Sequence, residues 1–589
     1  MAPPQRPAPG QTASDRIATL VHQRRHAEAI AQARRALQKS PSDAALNRLL
    51  AEALLATGEG EQALFALERA GDDPEALVLA SNTLRALRRH EQSLARAERA
   101  VELSPRSADA HAALGAALIA VGRPEAGLEA TRAAAALDPT NPARTLTTVG
   151  ALLETARPRE AADLMRTIVR ARPTDIAALG AYASILNYDD RASAREVFEA
   201  HAAFGRALER ATPDPGVTIA NPDPDRPLRV AFIARELHRH SISYFLEPLL
   251  LALRDHAIET TCYSLGSIND DYTARLRSAS DHWRDLAPLD AARRLETIRA
   301  DRIDVLIELM GLGFGARLAL LAARPAPVQV TYLSYPNTLG MTRLNARVVD
   351  DLTDPQGSDV LATERLVRLP RCFLCYRPDD RAPSVQARKP GDPFTFVSFN
   401  TVQKINPTTL DLWARVLAAS PGARLLLKHR GASEEATRAR LGHELTTRGA
   451  PPNSVELVGH IKPMDEHLAQ YHRADLALDT YPYHGTTTTC EGAWMGVPTL
   501  TLRGDRHAAR VGASLNGTLG LPEFVAQSLD EFVAKAAAHA ADPSGVRALR
   551  LQMRERMRLS PLMDAPAHGA AFADALRALW HDACARAKS

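Results

Sequence analysis

The chain has 589 residues, of which 45% are hydrophobic and 24% charged; this is the balance of a folded globular protein and excludes a wholly disordered chain. The formal net charge of +3 is small for this length and argues against an extended nucleic-acid-binding surface, and five cysteines are too few for a disulfide-stabilised scaffold. The sequence has neither an apolar leader nor an uninterrupted apolar stretch of about 18 residues, so we expect a cytoplasmic protein that contacts neither nucleic acid nor a membrane.

After a proline-rich segment at residues 1–13, which we expect to be disordered, residues 14–205 are rich in alanine and repeat themselves. Prolines that we expect to end successive helical stretches recur about every 34 residues, which is the period of tetratricopeptide repeats. Such helix pairs stack into a solenoid whose groove usually holds a peptide, although the same stacking can serve only to hold the chain together or to form a homodimer. The recurring prolines are Pro41, Pro74, Pro105, Pro139 and Pro173.

Residues 211–227 are rich in proline and cannot continue a helix, and we interpret residues 206–226 as a linker. Residues 227–388 and 389–589 each contain short apolar strands separated by helical stretches, which predicts two doubly wound α/β lobes, the second ending in a helix. Neither lobe has a G-x-G-x-x-G or Walker A pattern, which argues against a dehydrogenase and against a P-loop phosphoryl transferase. The D-x-D of Asp223 and Asp225 lies in the linker, where we expect no metal site.

Four consecutive threonines, Thr486–Thr489, lie between a strand that we expect to end at Asp479 and a short helix that we expect to end at Gly496. Ligands of doubly wound domains bind at the carboxyl ends of strands, where loops lead into helix N-termini. Free backbone N–H groups, the helix dipole and hydroxyl donors favour an anion there, so the run predicts a phosphate or diphosphate site. The alternative is that one threonine caps the helix and the others fill a turn. Glu491 would repel a phosphate, but its carboxylate can accept hydrogen bonds from ribose hydroxyls.

Lys404 follows the first strand of the second lobe and precedes the helical stretch NPTTLDLWARVL. We expect its ammonium and the N-terminus of that helix to meet the threonines in one cleft, where fixed positive charge stabilises a leaving group. His240 follows the first strand of the other lobe and can either accept a proton or orient a substrate, whereas His238 is expected in solvent. With this charge compensation no metal is required, and the C-x-x-C of Cys372 and Cys375 lacks the second pair that a zinc site needs.

Long stretches of the two lobes resemble a known family. They read RPAPVQVTYLSYPNTLG, SFNTVQKINPTTLDLWARVL, DTYPYHGTTTTCEGAWMGVPTLTL and HAARVGASLNGTLGL. They look like the catalytic region of the O-linked N-acetylglucosamine transferase family, most closely its SPINDLY-like branch, and the resemblance covers about residues 227–580. The resemblance implies tetratricopeptide repeats followed by a GT-B glycosyltransferase. Such an enzyme moves a sugar from a nucleotide diphosphate to Ser or Thr hydroxyls of proteins, with inversion at the anomeric centre and without a metal or other cofactor.

The resemblance also implies roles for individual residues. Lys404 matches the lysine that contacts the donor diphosphate, and His240 matches a histidine considered as the catalytic base, so these two are the predicted catalytic residues. The predicted donor-binding residues are Thr401, Lys404, Lys462, Pro463, Met464, His467, Thr486, Thr487, Thr488 and Glu491.

Three positions depart from the N-acetylglucosamine enzymes of the family. Thr486 stands where they usually carry histidine, Thr401 where they carry glutamine, and Met464 where they carry lysine. The T-T-T-T-C-E run is instead similar to SPINDLY proteins, whose plant members transfer fucose from GDP-fucose. These departures leave the identity of the donor open.

We therefore expect a protein O-glycosyltransferase that most closely fits UDP-N-acetylglucosamine as donor and binds protein or peptide acceptors in the repeat groove. Protein O-fucosylation from GDP-fucose is the alternative within this class. A tetratricopeptide scaffold with a degenerate nucleotide-sugar site is a second alternative, and transfer to lipid-linked or small-molecule glycans is a third.

Overall fold

The computed structural model describes residues 12–214, 216–312 and 316–588, so most of the predicted disordered segment at residues 1–13 lies outside the described residues. The chain divides into two compact units. One contains the residues up to Thr155 together with Arg430–Ala439, and the other contains Ala156–His429 and the residues from Arg440 onward. No helix of the described residues is long and apolar enough to cross a membrane.

The first unit is built from antiparallel helix pairs whose first helices begin at a polar cap. The side chains of Asp43, Asp73 and Ser107 accept a hydrogen bond from the backbone three residues further on, which satisfies a free N–H group of the first turn. Pro74 begins a helix instead of ending one, contrary to the sequence-based expectation, because the first helical position needs no N–H donor. The helices are α1 (Ala13–His22), α2 (His26–Leu37), α3 (Ala44–Ala56), α4 (Gly60–Arg69), α5 (Pro74–Ala86), α6 (His90–Leu103), α7 (Ala108–Ala120), α8 (Pro124–Leu137) and α9 (Pro142–Glu154).

Three further repeat helices belong to the second unit. They are α10 (Pro158–Ala171), α11 (Ile176–Leu186) and α12 (Ala194–Ala211), so the last helix continues beyond residue 205, where the sequence predicted the repeats to end. The backbone of α12 lies directly against the loop that contains Gly340. A Cβ atom added to Gly205 would come within 1.8 Å of the Gly340 carbonyl oxygen, so neither position can hold a side chain without movement.

The first α/β lobe has a seven-stranded sheet in the order β3-β2-β1-β4-β5-β6-β7, and all strand pairs are parallel. Its strands are β1 (Leu228–Ala234), β2 (Ile258–Ser264), β3 (His282–Asp285), β4 (Val305–Glu308), β5 (Val328–Thr331), β6 (Ala346–Asp350) and β7 (Arg365–Leu369). Its helices are α13 (Ser243–Leu253), α14 (Asp271–Ala279), α15 (Ala291–Ala300) and α16 (Ala316–Ala322).

The second lobe has a six-stranded parallel sheet in the order β10-β9-β8-β11-β12-β13. Its strands are β8 (Thr395–Ser398), β9 (Arg424–Lys428), β10 (Val455–Val458), β11 (Leu476–Leu478), β12 (Thr499–Leu502) and β13 (Val525–Ala526). Its helices are α17 (Pro407–Ala418), α18 (Glu435–Thr447), whose first residues belong to the first unit, α19 (Met464–Ala469), α20 (Thr487–Trp494), α21 (Val511–Thr518), α22 (Leu529–Ala541) and α23 (Ser544–Arg558). The C-terminal helix α24 (Ala565–Lys588), which the sequence predicted as part of the second lobe, packs against α13, β5 and β7 of the first lobe.

The two sheets share one connectivity, in which the first strand lies in the middle and the chain then reverses its direction across the sheet. Such a reversal opens a crevice at the carboxyl ends of the two central strands. In the first lobe these strands are β1 and β4, and in the second they are β8 and β11. The loops that leave β1, β8 and β11 carry His240, Lys404 and the threonine run, so the topology brings the predicted residues to the crevices.

Candidate functional site

Asp479 fixes the loop that follows β11. Its buried carboxylate accepts hydrogen bonds from the backbone nitrogens of Thr480 and Gly485, at 2.9 and 2.8 Å, and from the hydroxyl of Thr501 at 3.0 Å. Because a carboxylate with several donors holds each of them in place, the backbone between positions 480 and 485 is tied back on itself. These hydrogen bonds therefore fix the position in space of the first residues of the threonine run.

The four threonines use their hydroxyl groups differently. The Thr489 hydroxyl donates to the Gly485 carbonyl oxygen at 3.1 Å and the Thr488 hydroxyl to Oδ1 of Asn400 at 3.1 Å. Thr486 precedes α20 but makes no side-chain cap, and within the part of the chain that the structure describes the half-buried hydroxyls of Thr486 and Thr487 have no hydrogen-bond partner. Capping does not explain the run, and the first turn of α20 keeps donors for an anion.

Position 485 requires a glycine because neighbouring side chains leave no room for a Cβ atom. A Cβ atom at this position would lie 2.5 Å from Oγ1 of Thr488 and 2.8 Å from Oδ1 of Asn400. Both distances are shorter than carbon–oxygen contact allows. The glycine before the threonines therefore lets the loop approach the end of β8 closely.

His484 has a structural role in this loop. The side chain is fully buried, its Nε2 lies 2.9 Å from the carbonyl oxygen of Leu502, and its Nδ1 lies 3.1 Å from the backbone nitrogen of Gly512. A carbonyl only accepts and an N–H only donates, so the ring must be neutral with its proton on Nε2. Burial lowers the pKa of His484, which agrees with this neutral form.

The ammonium of Lys404 is held by the same loop. Its Nζ atom donates a hydrogen bond of 2.6 Å to the His484 carbonyl oxygen and lies 4.1 Å from the centroid of the Tyr483 ring. Burial lowers the pKa of Lys404 to about 8, and the negative charge of Asp479 opposes this effect. The half-buried amine is thus mostly protonated at neutral pH and lies just ahead of the threonine run.

The N-terminus of α17 is occupied by protein groups. The backbone nitrogen of Thr408 donates to Asp190 at 2.9 Å, that of Thr409 donates to the Asn406 side chain at 3.0 Å, and Pro407 has no N–H. The expectation that this helix N-terminus helps Lys404 to compensate an anion is therefore wrong, because its donors are already satisfied.

A second cluster of charged groups lies beside α20. Nζ of Lys428, the last residue of β9, lies 3.3 Å from both ring nitrogens of His467, and Nε2 of His467 lies 3.5 Å from Oε2 of Glu491. Burial lowers the pKa of Lys428, while the charge of Glu491 acts in the opposite direction. Sequence reasoning missed Lys428, although a lysine that ends the buried strand ARLLLK is the signal that could have found it.

The other predicted donor-binding residues are neighbours of these groups along the chain. Lys462 and Pro463 are exposed and lead into α19, which begins at Met464 and carries His467. Thr401 is exposed and precedes the short turn that contains Lys404.

His240 lies in the loop between β1 and α13. The backbone nitrogen of Ile242 donates to its Nδ1 at 3.4 Å, and burial, assisted by the nearby His238, lowers the pKa of His240 to about 4. The half-buried imidazole is therefore neutral at physiological pH. In the first turn of α13, the pKa of Tyr244 is raised mainly by burial, then by the neighbouring Tyr272 and Asp379, and to a smaller extent by the charge of Glu491 on α20.

Buried polar contacts join the two lobes. Nδ1 of His507 lies 2.5 Å from Oδ2 of Asp354, and the Ser514 hydroxyl donates to Asp350 at 2.6 Å. These buried contacts connect the loop and helix after β12 to the turn after β6. No group of three or more His, Cys, Asp or Glu side chains arranged to hold a metal ion occurs among the described residues.

A family model described as glycosyl transferase family 41 matches residues 217–380 and 381–571, and a tetratricopeptide repeat model matches residues 20–77. The chain belongs to glycosyl transferase family 41. The resemblance noted in the sequence is thereby confirmed.

Curated relatives of this family 41 member include proteins named probable UDP-N-acetylglucosamine–peptide N-acetylglucosaminyltransferase SPINDLY. The one from Petunia hybrida is 37% identical over 406 residues and the one from Arabidopsis thaliana is 36% identical over 405 residues. Each comparison covers 68% of this chain and 44% of the relative, so the chain spans less than half the length of these relatives.

A solved structure of an O-GlcNAc transferase mutant from Thermobaculum terrenum is similar to this family 41 chain, with a TM-score of 0.80 at 34% identity. The match covers 87% of this chain and 98% of the other. The predicted fold class, a helical tetratricopeptide region followed by two α/β lobes of the GT-B type, is therefore confirmed.

Proposed function

We propose that the chain is an inverting protein O-glycosyltransferase that moves a sugar from a nucleotide diphosphate to Ser or Thr hydroxyls of proteins. One observation carries this proposal. The Lys404 ammonium is held against the loop that leads into Thr486 and Thr487, whose hydroxyls have no partner among the residues that the structure describes, and into the open first turn of α20. This set of donors suits the diphosphate of a sugar nucleotide.

Lys404 and α20 would stabilise the leaving group. As the bond between the anomeric carbon and the diphosphate oxygen breaks, negative charge grows on that oxygen, and fixed positive charge aimed at it typically contributes about 3–4 kcal/mol. In this proposal the protein supplies the compensating charge itself, and no metal or other cofactor takes part.

The acceptor hydroxyl would attack the anomeric carbon from the face opposite the diphosphate. The new carbon–oxygen bond forms as the old one breaks, and the hydroxyl proton passes to a base. The single lone-pair nitrogen of the neutral His240 ring, Nδ1, already accepts the backbone N–H of Ile242 at 3.4 Å, so it could take the proton only after that contact opens. With a pKa of about 4 it is also a weak base in the ligand-free protein. A bound diphosphate would raise that pKa, because negative charge favours the imidazolium.

For the donor we propose UDP-N-acetylglucosamine, which is the nucleotide sugar in the names of the relatives. Glu491, paired with His467 and close to Lys428, offers a carboxylate to the ribose hydroxyls, and the Lys428 amine adds a second positive charge. GDP-fucose is the second candidate donor, because Thr486 and Thr401 depart from the residues that N-acetylglucosamine enzymes of the family carry.

The acceptor is proposed to be a protein segment bound in the groove of the repeats. In the first unit, a groove of about 700 Å³ between α3, α5 and α7 is lined by Glu52, Asp73, Glu75 and Asp109, with Arg48 as the single basic residue. Four carboxylates against one guanidinium favour acceptor proteins with a lysine- or arginine-containing segment.

The decisive experiment offers UDP-N-acetylglucosamine and GDP-fucose separately to the purified protein together with a peptide library. Sugar transfer is measured by mass spectrometry and nucleotide release by a coupled assay. We expect transfer from one donor, and transfer at least about 100-fold slower by a Lys404→Met variant that still folds. Absence of both transfer and nucleotide binding with either donor would favour a tetratricopeptide scaffold instead.

A further inference from the structure

The turn between the repeat helices α11 and α12, residues Asn187–Asp190, contacts loops of both lobes. Nδ2 of Asn187 donates to the Tyr335 hydroxyl at 2.9 Å, and Asp190 accepts the backbone N–H of Thr408 at 2.9 Å. Tyr335 follows β5, whereas Thr408 lies in the first turn of α17. A turn of the repeats therefore contacts the loops that carry the candidate site.

Tyr188 within this turn reaches the residue that contacts Lys404. Its ring is stacked on the Tyr483 ring, with centroids 5.2 Å apart and planes inclined by 21°. The Tyr188 carbonyl oxygen also accepts a hydrogen bond of 3.3 Å from Asn406, which follows Lys404 by two positions. The same Tyr483 ring lies 4.1 Å from the Lys404 ammonium.

We propose that Tyr188 is a positioning residue for the donor-binding amine: by stacking on Tyr483 it holds the ring against which the Lys404 ammonium rests. This inference rests on the proposed function in so far as Lys404 contacts the donor. An aromatic face attracts an ammonium and also keeps water from one side of it. Without Tyr188 the Tyr483 ring gains freedom to move, and the ammonium becomes more hydrated and less well aimed.

The attachment of the repeats to the lobe does not depend on Tyr188. Asp190 is held by Arg159 through two hydrogen bonds of 2.7 and 2.8 Å, and Arg506 donates to the Ala192 carbonyl oxygen at 2.6 Å. Arg159 lies on α10, so its pair with Asp190 holds the turn within the repeats. The Arg506 contact and the Thr408 N–H donated to Asp190 join the repeats to the second lobe. A change at Tyr188 therefore alters the surroundings of Tyr483 and Lys404 more than it weakens the attachment.

The charge state of Lys404 provides a test that does not require turnover. The titratable groups that face the amine are Asp479, His484 and Tyr483, and its pKa is about 8 because of burial. Loss of the Tyr188 ring admits water and should move this pKa upward, towards the ordinary lysine value of about 10.4.

The experiment compares Tyr188→Leu and Tyr188→Phe with a matched control, Tyr182→Leu, in the full chain. Tyr182 lies on α11 and donates to Glu196 at 3.1 Å, so its loss perturbs the same helix without touching Tyr483. Labelling of Lys404 by an amine-reactive reagent is followed by mass spectrometry from pH 6 to 11, and UDP and GDP binding are measured by calorimetry.

We expect Tyr188→Leu to shift the labelling midpoint upward by about one pH unit and to weaken nucleotide binding roughly fivefold. Tyr188→Phe keeps the stacked ring and should leave both unchanged, as should Tyr182→Leu. Should Tyr188→Leu fail to fold, Tyr188→Met fills a similar volume without an aromatic face and answers the same question.

An unchanged labelling midpoint in a folded Tyr188→Leu or Tyr188→Met protein overturns the inference. Equal shifts in Tyr182→Leu overturn it as well, since they would reveal a general loosening of α11. If the unsubstituted protein binds neither UDP nor GDP, the proposed function fails, whereas the labelling profile still decides whether Tyr188 positions Lys404.

Discussion

The Nζ atom of Lys404 lies 2.6 Å from the carbonyl oxygen of His484, in the loop that leads directly into the threonine run. This contact joins a charged group after β8 to the loop after β11, across the switch point of the second sheet. It also confines an ammonium to a place where water is scarce, which has consequences for both activity and stability.

Replacement of Lys404 by methionine should strongly reduce transfer while stabilising the ligand-free protein. Loss of the charge aimed at the leaving group should lower kcat about 100- to 1,000-fold. Folding lowers the pKa of this amine, so at pH 7 its charged form destabilises the native state. After subtraction of the lost hydrogen bond, the free energy of unfolding of the variant should be about 1–2 kcal/mol higher. Thermal unfolding at pH 7 measures this gain in the free energy of unfolding. The gain should vanish as the pH rises from about 8 towards 10.5. In that range the amine of the unfolded unsubstituted protein is still protonated whereas the amine of its native state is not, so the unsubstituted protein becomes more stable with rising pH.

Lys535→Met is the matched control for that experiment. Lys535 also donates to a backbone carbonyl oxygen, that of Val525 at 2.7 Å, but it lies on α22 and pairs with Glu531. Its replacement should leave transfer unchanged. A Lys404→Met protein that keeps more than a tenth of the activity would contradict the assignment of Lys404 to the donor.

Gly485→Ala should weaken nucleotide binding without unfolding the protein. The new Cβ would lie 2.5 Å from the Thr488 hydroxyl and must push the threonine run away from Asn400. We expect UDP or GDP affinity, measured by calorimetry, to fall about tenfold, because displacing a positioned donor commonly costs a hydrogen bond to a charged group. Gly442→Ala in α18 meets no atom within 4 Å and serves as the control; equal affinities in the two variants would count against an anion site at α20.

The value of kcat/KM should fall at alkaline pH and should show no change near the ordinary pKa of histidine. This ratio reports the free enzyme, in which Lys404 loses its proton near pH 8 and His240 near pH 4. Activity should therefore be level between about pH 5.5 and 7 and decline above about pH 8. Initial rates at low donor concentration measure the profile. If kcat/KM instead rises with a midpoint near pH 6.5, and this rise disappears in His240→Ala but persists in His238→Ala, the low pKa of His240 is wrong.

Charge reversal in the repeat groove should impair transfer to basic acceptors only. Glu52 and Glu75 pair with Arg48 at 3.1 and 3.0 Å, and replacing both by lysine turns an acidic groove basic. We expect transfer to lysine-rich peptides to fall roughly fivefold at low salt and less at high salt, with nucleotide binding unchanged. The same charge change at the exposed Glu68 and Glu98 is the control. Identical losses in both double variants would argue against the groove as the acceptor site.

The pattern of apolar and polar residues in the local sequence was enough to predict that strands alternate with helices. It also predicted that the threonines lie at the start of a helix. Three edge strands were not predicted: β3, which is polar and largely exposed, β7, which is only partly buried and carries two arginines, and β13, which has only two residues. An edge strand buries little surface, so it leaves little hydrophobic pattern to detect.

The contacts that define the site could not be predicted in the same way. Lys404 and His484 are 80 residues apart, and the partner of Thr408 is Asp190, 218 residues away. Nothing in the local sequence NPTTLDLW indicates that a repeat turn takes the free donors of α17. The wrong expectation for that helix and the missed roles of Lys428 and Tyr188 have this common origin.

The close approach of Gly205 to Gly340 limits how the protein can be recombined with its relatives. A chimera joined at residue 205 would pair a foreign α12 with the native Gly340 loop, where any side chain meets a carbonyl oxygen within 1.8 Å. A crossover near Thr155 avoids that mismatch, because α10, α11 and α12 then travel with the lobes they belong to. Exchanging repeats to retarget such proteins should therefore preserve these last three helices.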